Sequence, residues 1–353
     1  MPIEFSLFDP SSAVEQDFAE HFDVTRSVMT VDHPEQPQPT LEEYVHLTSQ
    51  PVTALGPIRR WVVREDGQIV GTASAMYPQR ENRHAAVVRV AISPERRRRG
   101  MGTSLLQAIL PDLAAEGRTV VGANGVKADA SGELWARQLG FVRTRAHVRQ
   151  ILALTQVDPA LWQRPVPQGF RLEHWTGAAP EALLAQYARA RTAILDAPRG
   201  DTTLETEAWT PERVRAHEAD LRDRDVQNHV IAAVHTASAQ IAGITELELW
   251  PNQPNLAVQG DTAVATDFRG HGLGLAIKGA MLRRLTTERP AITEIYTHTT
   301  HDNTHMITIN LALGFSTTAV LAELEIALAD LVKRLEPPTP SAVTQPSPAQ
   351  PEL

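Results

Sequence analysis

Apolar positions along this chain recur with two periods, and the switches between them lay out the elements. IEFSLFD, from Ile3 to Asp9, reads as a strand, and helical spacing follows over Ser12 to Met29 and Thr40 to Ser49. IRRWVVREDGQ and IVGTASAMY read as a hairpin turned at Asp66-Gly67, a pair that tolerates the left-handed backbone of a tight turn. HAAVVRVAIS is a strand ending at Pro94. Beyond it Met101, Leu105, Ala108 and Ile109 stand three and four apart, the mark of one buried helix face. The strand TVVGANGV, a short helix over Ser131 to Leu139 and the closing strand FVRTRAHVRQILAL end this stretch.

The same order then returns. FRLEHW is a strand, Pro180 to Leu195 a helix, and HVIAAVHTASAQ, IAGITELELW and LAVQGDTAVATD are three more strands. A helix carries Leu273, Ile277, Met281 and Leu285 on one stripe, ahead of the strand ITEIYTH, a helix over Thr304 to Leu313 and a last strand from Ser316. Two landmarks fix the repeat. R-x-x-G-x-G occurs at Arg97 and again 172 residues later at Arg269, and Leu-Gly-Phe occurs at 139–141 and again 174 residues later at 313–315. Spacing kept this closely indicates a duplicated domain. The expected layout is an N-terminal domain over 1–155, a linker over 156–169 holding Pro159, Pro165 and Pro167, and a C-terminal domain over 170–335. The Pro-, Ser- and Gln-rich stretch 336–353 is expected to be a disordered or extended tail.

Composition narrows the function. With 353 residues and no cysteine, the chain can bury sizeable cores yet has no thiolate nucleophile, disulfide or Cys-based zinc site. Thirty-three basic against 42 acidic side chains give a net charge of −9, which argues against general affinity for nucleic acid. The basic run Arg96 to Arg99 is better explained by its place in the first glycine loop. No apolar run approaches the roughly 20 residues of a membrane span, so a cytoplasmic protein with no membrane partner is expected. His298, His301 and His305 fit neither H-E-x-x-H nor a Cys/His module, and no metal is expected there.

The glycine loops carry the first candidate chemistry. A strand running into R-x-x-G-x-G and then a helix aims successive backbone N–H groups at one spot, where the helix dipole favours an anion. The spacing lacks the last glycine of the dinucleotide fingerprint, and no Gly-Lys-Ser/Thr follows as in a Walker A loop.

On V-A-I-S-P-E-R-R-R-R-G-M-G-T-S-L-L, T-A-V-A-T-D-F-R-G-H-G-L-G-L-A-I-K and the two Leu-Gly-Phe triplets, the sequence resembles the GNAT superfamily of acyl-CoA N-acyltransferases. The tandem arrangement is similar to that of mycothiol-synthase-like acetyltransferases, nearest in the second half through Asp196-Ala197-Pro198-x-Gly200-Asp201, Thr262-x-Val264 and Asn303 to Phe315. The resemblance implies an α/β (α+β) fold of two tandem GNAT domains, each a mixed, mostly antiparallel sheet that splays between its fourth and fifth strands and is flanked by helices. It implies acetyl-CoA as cosubstrate, with the pantetheine arm in the splay and no metal. Val264, Ala265, Thr266, Arg269, Gly270, His271, Gly272, Leu273, Gly274, Leu275 and Asn303 would hold it in the second domain. Ile92, Arg97, Arg98, Arg99, Gly100, Met101, Gly102 and Thr103 are their counterparts in the first. An N–H near Val264 would polarise the thioester carbonyl.

The resemblance also locates the acid and base work. A base carboxylate often stands three or four residues before the last valine of the fourth strand; Asp261 does so, whereas the first half has Val88 and Arg89. Glu246 and Glu248, on one face of the preceding strand, are the other acidic candidates. The usual tyrosine that meets the departing thiolate is replaced by Asn310, which hydrogen-bonds but supplies no proton, and by Ala136 in the first half. Asp196 and Asp201 flank a loop that shapes acceptor sites in the family, and with Glu248 they would suit a cationic acceptor. These features together imply an N-acetyltransferase acting on a primary amine of a small molecule, such as an amino sugar, an amine-bearing metabolite or an antibiotic. Transfer would be direct, within a ternary complex in the C-terminal domain, beside a catalytically degenerate N-terminal one. A noncatalytic acyl-CoA-binding protein and mycothiol synthesis are the alternatives; oligomeric state is not legible.

Overall fold

The computed structural model describes residues 3–36, 38–49, 56–196, 198–206 and 208–336. Ala197 and the Pro-rich tail from 337 onward lie outside them. The first half runs β1 (Ile3–Leu7), α1 (Glu15–Asp32), α2 (Leu41–Ser49), β2 (Ile58–Glu65), β3 (Gln68–Met76), β4 (Ala85–Ile92), α3 (Met101–Ala115), β5 (Val120–Lys127), α4 (Ser131–Gln138) and β6 (Val142–Ala153). The second runs β7 (Phe170–Thr176), α5 (Glu181–Thr192), α6 (Pro211–Asp223), β8 (Gln227–His235), β9 (Ile241–Leu249), β10 (Leu256–Val264), α7 (Leu273–Glu288), β11 (Glu294–Thr300), α8 (Thr304–Ala312), β12 (Ser316–Ala327) and α9 (Leu328–Leu335).

Local signals account for most of these elements. Asp66 and Gly67 take φ of 52° and 83°, the left-handed pair that closes β2–β3 without splaying the strands. The helix expected to reach Leu195 stops at Thr192 and finishes as a 3-10 turn over Ala193–Asp196. Two helices escape the pattern reading. Helix α6 buries only Val214, Glu218 and Leu221 in a mostly charged sequence, and is started by Thr210, whose hydroxyl accepts from the Arg213 N–H at 3.3 Å. Helix α9 follows β12 without a break, so its apolar residues read as more strand.

The strands form one twelve-stranded sheet in the order β1-β2-β3-β4-β5-β12-β6-β11-β10-β9-β8-β7. The two closing strands are exchanged at its centre: β12 pairs antiparallel with β5 of the first half, and β6 pairs antiparallel with β11 of the second. They also pair with each other. Each half therefore completes its core with residues from the other. Leu324, Ile326, Leu328 and Leu331 join the first-half core, while Leu152, Leu154 and Trp162 join the second. The proline-bearing segment between the halves is docked, because the buried Trp162 indole donates to the Leu313 carbonyl at 3.0 Å.

Both halves splay at the same place. β4 and β5 run parallel for three residue pairs, Ala85–Val87 against Val120–Gly122, and then part. β10 and β11 do the same over Leu256–Val258 and Glu294–Tyr296. A parallel pair that parts leaves backbone groups of the inner strands without a ladder partner, and these face the gap.

Candidate active site

The glycine loops close the two splays with nearly the same geometry. Arg269 donates from Nε to the Val264 carbonyl at 3.1 Å and pairs with Asp196 at 2.7 Å; Arg97 donates to the Ile92 carbonyl at 3.1 Å and pairs with Asp32 at 2.7 Å. Each arginine thus braces its loop against the end of the first helical segment of its half. Gly270 and Gly272 are left-handed at φ of 80° and 76°, matched by Arg98 at 65° and Gly100 at 80°. Left-handed Arg98 is strained by about 1 kcal/mol where the second half uses glycine. Among the described residues, no acceptor takes the N–H groups of Gly270 to Leu275 or of Arg98 to Thr103; the first helical bonds are Ala276 to Gly272 and Ser104 to Gly100. Six successive open donors at a helix N-terminus are a cradle for a multiply charged anion.

In the second half this cradle opens on a cleft of about 510 Å³ walled by Ile194, Thr262, Val264, Asn303, Met306 and Ile309. Ala265 donates to the Ala242 carbonyl of β9. By antiparallel alternation, the N–H and C=O of Val264 point the other way, into the splay, where Arg269 takes the carbonyl and the N–H stays open. Asn303 caps α8, its side chain accepting from the Met306 N–H at 3.1 Å.

The carboxylates sit at a β-bulge. Across β9 and β10, Leu247 pairs with Gln259 and Thr245 with Thr262, so Gly260 and Asp261 together oppose Glu246. Gln259 fixes the bulge by donating to the Thr245 hydroxyl at 3.1 Å and to the Glu246 carbonyl, and the Thr245 and Thr262 hydroxyls bond at 2.8 Å. The extra residue turns Asp261 into a second cavity, of about 530 Å³, which meets the first along Ile194, Pro198 and Asn303. Glu246 lies behind it, buried, accepting from the Tyr187 hydroxyl at 2.6 Å and pairing with Arg191 at 3.0 Å; Arg191 also lies 4.0 Å from Asp261. Desolvation pushes the Glu246 carboxyl up to about 7 against the pull of Arg191, with Asp261 adding to the rise. Burial raises Asp261 and Glu248 as well, with Arg191 opposing in both. The Arg191 guanidinium lies 3.4 Å from the centroid of the Trp209 ring.

The matching strands of the first half carry none of this. Gly71 to Met76 pair with Ile92 to Val87 in unbroken register, and Ser74 faces Arg89 where Glu246 faces the bulge. The Trp135 indole donates to the Thr103 hydroxyl at 3.1 Å beside the first glycine loop, at the position Ile309 fills in the second.

Other residues singled out in the sequence are placed differently. Asn310 is buried, and its amide donates to Gln150 of β6 at 2.8 Å; it lines neither cavity. Asp196 is engaged by Arg269 and by the Thr266 hydroxyl at 3.1 Å. Asp201 lies outside both cavities, on a loop docked to β6 through its own N–H and the Thr144 carbonyl at 2.9 Å, so the two aspartates do not line one cavity together. Glu248 accepts from the Trp250 indole at 3.1 Å. Sequence reading missed Tyr187, Arg191, Trp209 and Gln259, whose roles come from contacts across the fold. The one available signal was Gln259-Gly260, a polar residue and a glycine inside an apolar strand. Among the described residues, no group of three or more His, Asp or Glu side chains is placed to hold a metal ion, and no helix is long and apolar enough to cross a membrane.

Comparison with known proteins bears on this geometry. The model of the acetyltransferase (GNAT) family matches residues 19–141 and 192–315. The mycothiol acetyltransferase of Clavibacter michiganensis subsp. michiganensis (strain NCPPB 382) is 26% identical over 269 residues, 75% of this chain and 79% of that protein. Among solved structures, a tandem GNAT protein from the clavulanic acid biosynthesis pathway, without AcCoA, superposes with a TM-score of 0.75 at 25% identity, covering 93% of this chain and 99% of that one. A GCN5-related N-acetyltransferase from Sphaerobacter thermophilus shares the fold at a TM-score of 0.69 and 16% identity, over 92% of this chain and 96% of its own.

Proposed function

Because this chain belongs to the acetyltransferase (GNAT) family and is thereby an acyltransferase, we propose that it moves acetyl from acetyl-CoA to a primary amine of a small molecule in the second-half cleft. One observation carries the reading: the bulge turns Asp261 into the second cavity, while the next residue, Thr262, lines the cleft of open N–H groups. The N–H groups of Gly270 to Leu275 would hold the pyrophosphate, and the open Val264 N–H would face the acyl carbonyl. Bound there, acetyl-CoA supplies an acetyl group activated as a thioester.

The residues of the chain do the rest. Asp261, raised by burial yet about one-third exposed in its cavity, accepts the proton that the acceptor's ammonium sheds to become the attacking amine. Arg191 holds Asp261 and Glu246 together, and Glu246 takes protons near neutral pH as the reserve acceptor behind it. Asn310 is committed to Gln150, so its amide is not offered to the departing sulfur, and His305 is the ionisable side chain of α8 that lines the cleft. In the first half, Arg89 and Ser74 stand where a base is needed, which supports a supporting role for that half.

The test joins calorimetric titration with acetyl-CoA to steady-state turnover of amines. Asp261→Asn is expected to lower kcat by roughly 10²- to 10⁴-fold with the acetyl-CoA Kd unchanged. Unchanged turnover removes Asp261 as base, and no binding of acetyl-CoA removes the reading. A second reading, synthesis of mycothiol, is favoured by the 26% identity to a mycothiol acetyltransferase and is tested by direct assay of the mycothiol precursor amine.

A further inference from the structure

The second cavity has two ends of opposite charge, and the strand exchange builds one of them. Asp261, with Glu246 and Glu248 behind it and the Arg191 guanidinium set among the three carboxyls, forms the acidic end on β10 and β9. The opposite wall comes from β6 and β12. Their register places Arg145 across from Glu323 and His147 across from Leu321, while His147 faces Thr300 of β11. All five residues line the same cavity, so their shared face of the sheet is its floor. Strand β11 lies between β10 and β6; two paired spacings are roughly 10 Å, and the parting of β10 from β11 beyond Val258 widens the gap at Asp261.

The far wall carries two arginines, Arg145 and Arg199, against one carboxylate, Glu323. Glu323 accepts from Arg145 at 2.8 Å and pairs with His147 at 3.0 Å; burial pushes its carboxyl up, but those two partners prevail and hold it below the usual range. One carboxylate is thus shared by an arginine and a histidine. Arg199, on the loop over the cavity, adds a second guanidinium with no carboxylate partner among the described residues. That loop is held over the exchanged strands: the Asp201 N–H donates to Thr144 of β6, and Thr203 donates twice to Glu325 of β12, at 3.0 Å from its N–H and 2.5 Å from its hydroxyl. His298, neutral because burial and the neighbouring His147 and Arg149 depress it to about 4, lies between the two ends.

Resting on the acetyl-transfer reading above, the geometry points to an acceptor that is itself two-ended, presenting its amine to Asp261 and a carboxylate or phosphate to Arg199 and Arg145. A cation without an anionic group leaves the Arg199 end unanswered, and an anion without an amine meets the acidic end. Arg199 is then a specificity-determining residue that leaves the chemistry to Asp261. Neither half supplies this selectivity alone, because Asp261 and Arg199 come from the second half, Arg145 from the first, and Glu323 from the strand that crosses back.

The experiment compares matched acceptors on the full chain with acetyl-CoA, following thiol release: 6-aminohexanoate against hexylamine for the carboxylate, and glucosamine 6-phosphate against glucosamine for the phosphate. The acidic member of at least one pair is expected to exceed its neutral partner in kcat/KM by about tenfold or more, the factor one well-placed charge contributes. The pair that does so identifies the group. Arg199→Glu is expected to collapse that ratio by about tenfold or more, mainly through KM, with the acetyl-CoA Kd and the unfolding midpoint unchanged. Neutral amines matching or exceeding their acidic partners, or a ratio that Arg199→Glu leaves intact, overturns the two-ended acceptor while acetyl transfer stands. Binding of acetyl-CoA with turnover of none of the four overturns the transfer reading, and this inference with it.

Discussion

Substituting a residue at the C-terminal end of the described chain should loosen the N-terminal half. Leu331, on α9, is fully buried in the first-half core beside Leu105, Ile109 and Leu113 of α3, and Gln107 of α3 donates to the Leu335 carbonyl at 2.9 Å. Together with Leu324, Ile326 and Leu328 it is one of four large aliphatic side chains that the second half places in that core. At about 1.5–3 kcal/mol each, they contribute roughly 6–12 kcal/mol, comparable to the whole stability of a domain. Leu331→Ala should cost about 2–5 kcal/mol through lost burial and the cavity left behind. Hydrogen exchange followed by mass spectrometry reads the effect by position. If the exchanged strands make one cooperative unit, amides of β2 and β3 lose protection by roughly 30- to 5,000-fold, the exponential of that free energy. Amides of β8 and β9 lose a similar factor in the same experiment. Loosening confined to 316–336, with 58–76 unchanged, would refute the reasoning; so would a cooperative unfolding transition in residues 1–155 expressed alone.

Three further outcomes follow from the same geometry. Lys278 is buried on α7 with its ammonium 5.4 Å from the Phe315 ring, and burial lowers it from 10.5 to about 7. The unfolded chain therefore binds the extra proton between pH 7 and 10.5, so wild-type stability rises with pH through that window. Lys278→Leu, the residue the first half has at Leu106, should raise stability by about 4 kcal/mol at pH 7, with a gain that fades toward pH 10 in denaturant titrations; a pH-independent gain contradicts the assignment. The pH profile of kcat/KM should show an ascending limb near 7 from the carboxyl of Glu246, which Tyr187, Arg191, Asp261 and Glu248 surround, and Glu246→Gln should abolish it; persistence of that limb assigns it elsewhere. Gly272→Val forces a branched side chain into left-handed backbone in the middle of the N–H cradle, and should weaken acetyl-CoA binding by about tenfold or more, read by calorimetry.

Much of this protein was legible in one dimension. Strand and helix periods depend on neighbours two to four residues away, so β1 to β5, α3, α7 and α8 follow from the pattern of their own residues. Duplication was readable because R-x-x-G-x-G and Leu-Gly-Phe keep their spacing, and the glycine loops because left-handed backbone and open N–H groups are properties of a short segment. The family resemblance singled out Asp261, three residues before Val264, although the bulge that turns it into the second cavity depends on Gln259 reaching β9.

What only the tertiary structure decided is who sits next to whom. Strands β6 and β12 carry similar alternation, and either would satisfy β5 or β11 by hydrophobicity alone; the crossing is selected by the whole assembly of core, connection and helix α9, which no local period encodes. The same holds for function. Arg191, Tyr187 and Glu246 are separated by up to 59 residues yet share one buried carboxyl. Arg145 and Glu323 meet across 178. Electrostatic work in this protein is done by pairs brought together through burial, and burial is a property of the folded volume rather than of the sequence order.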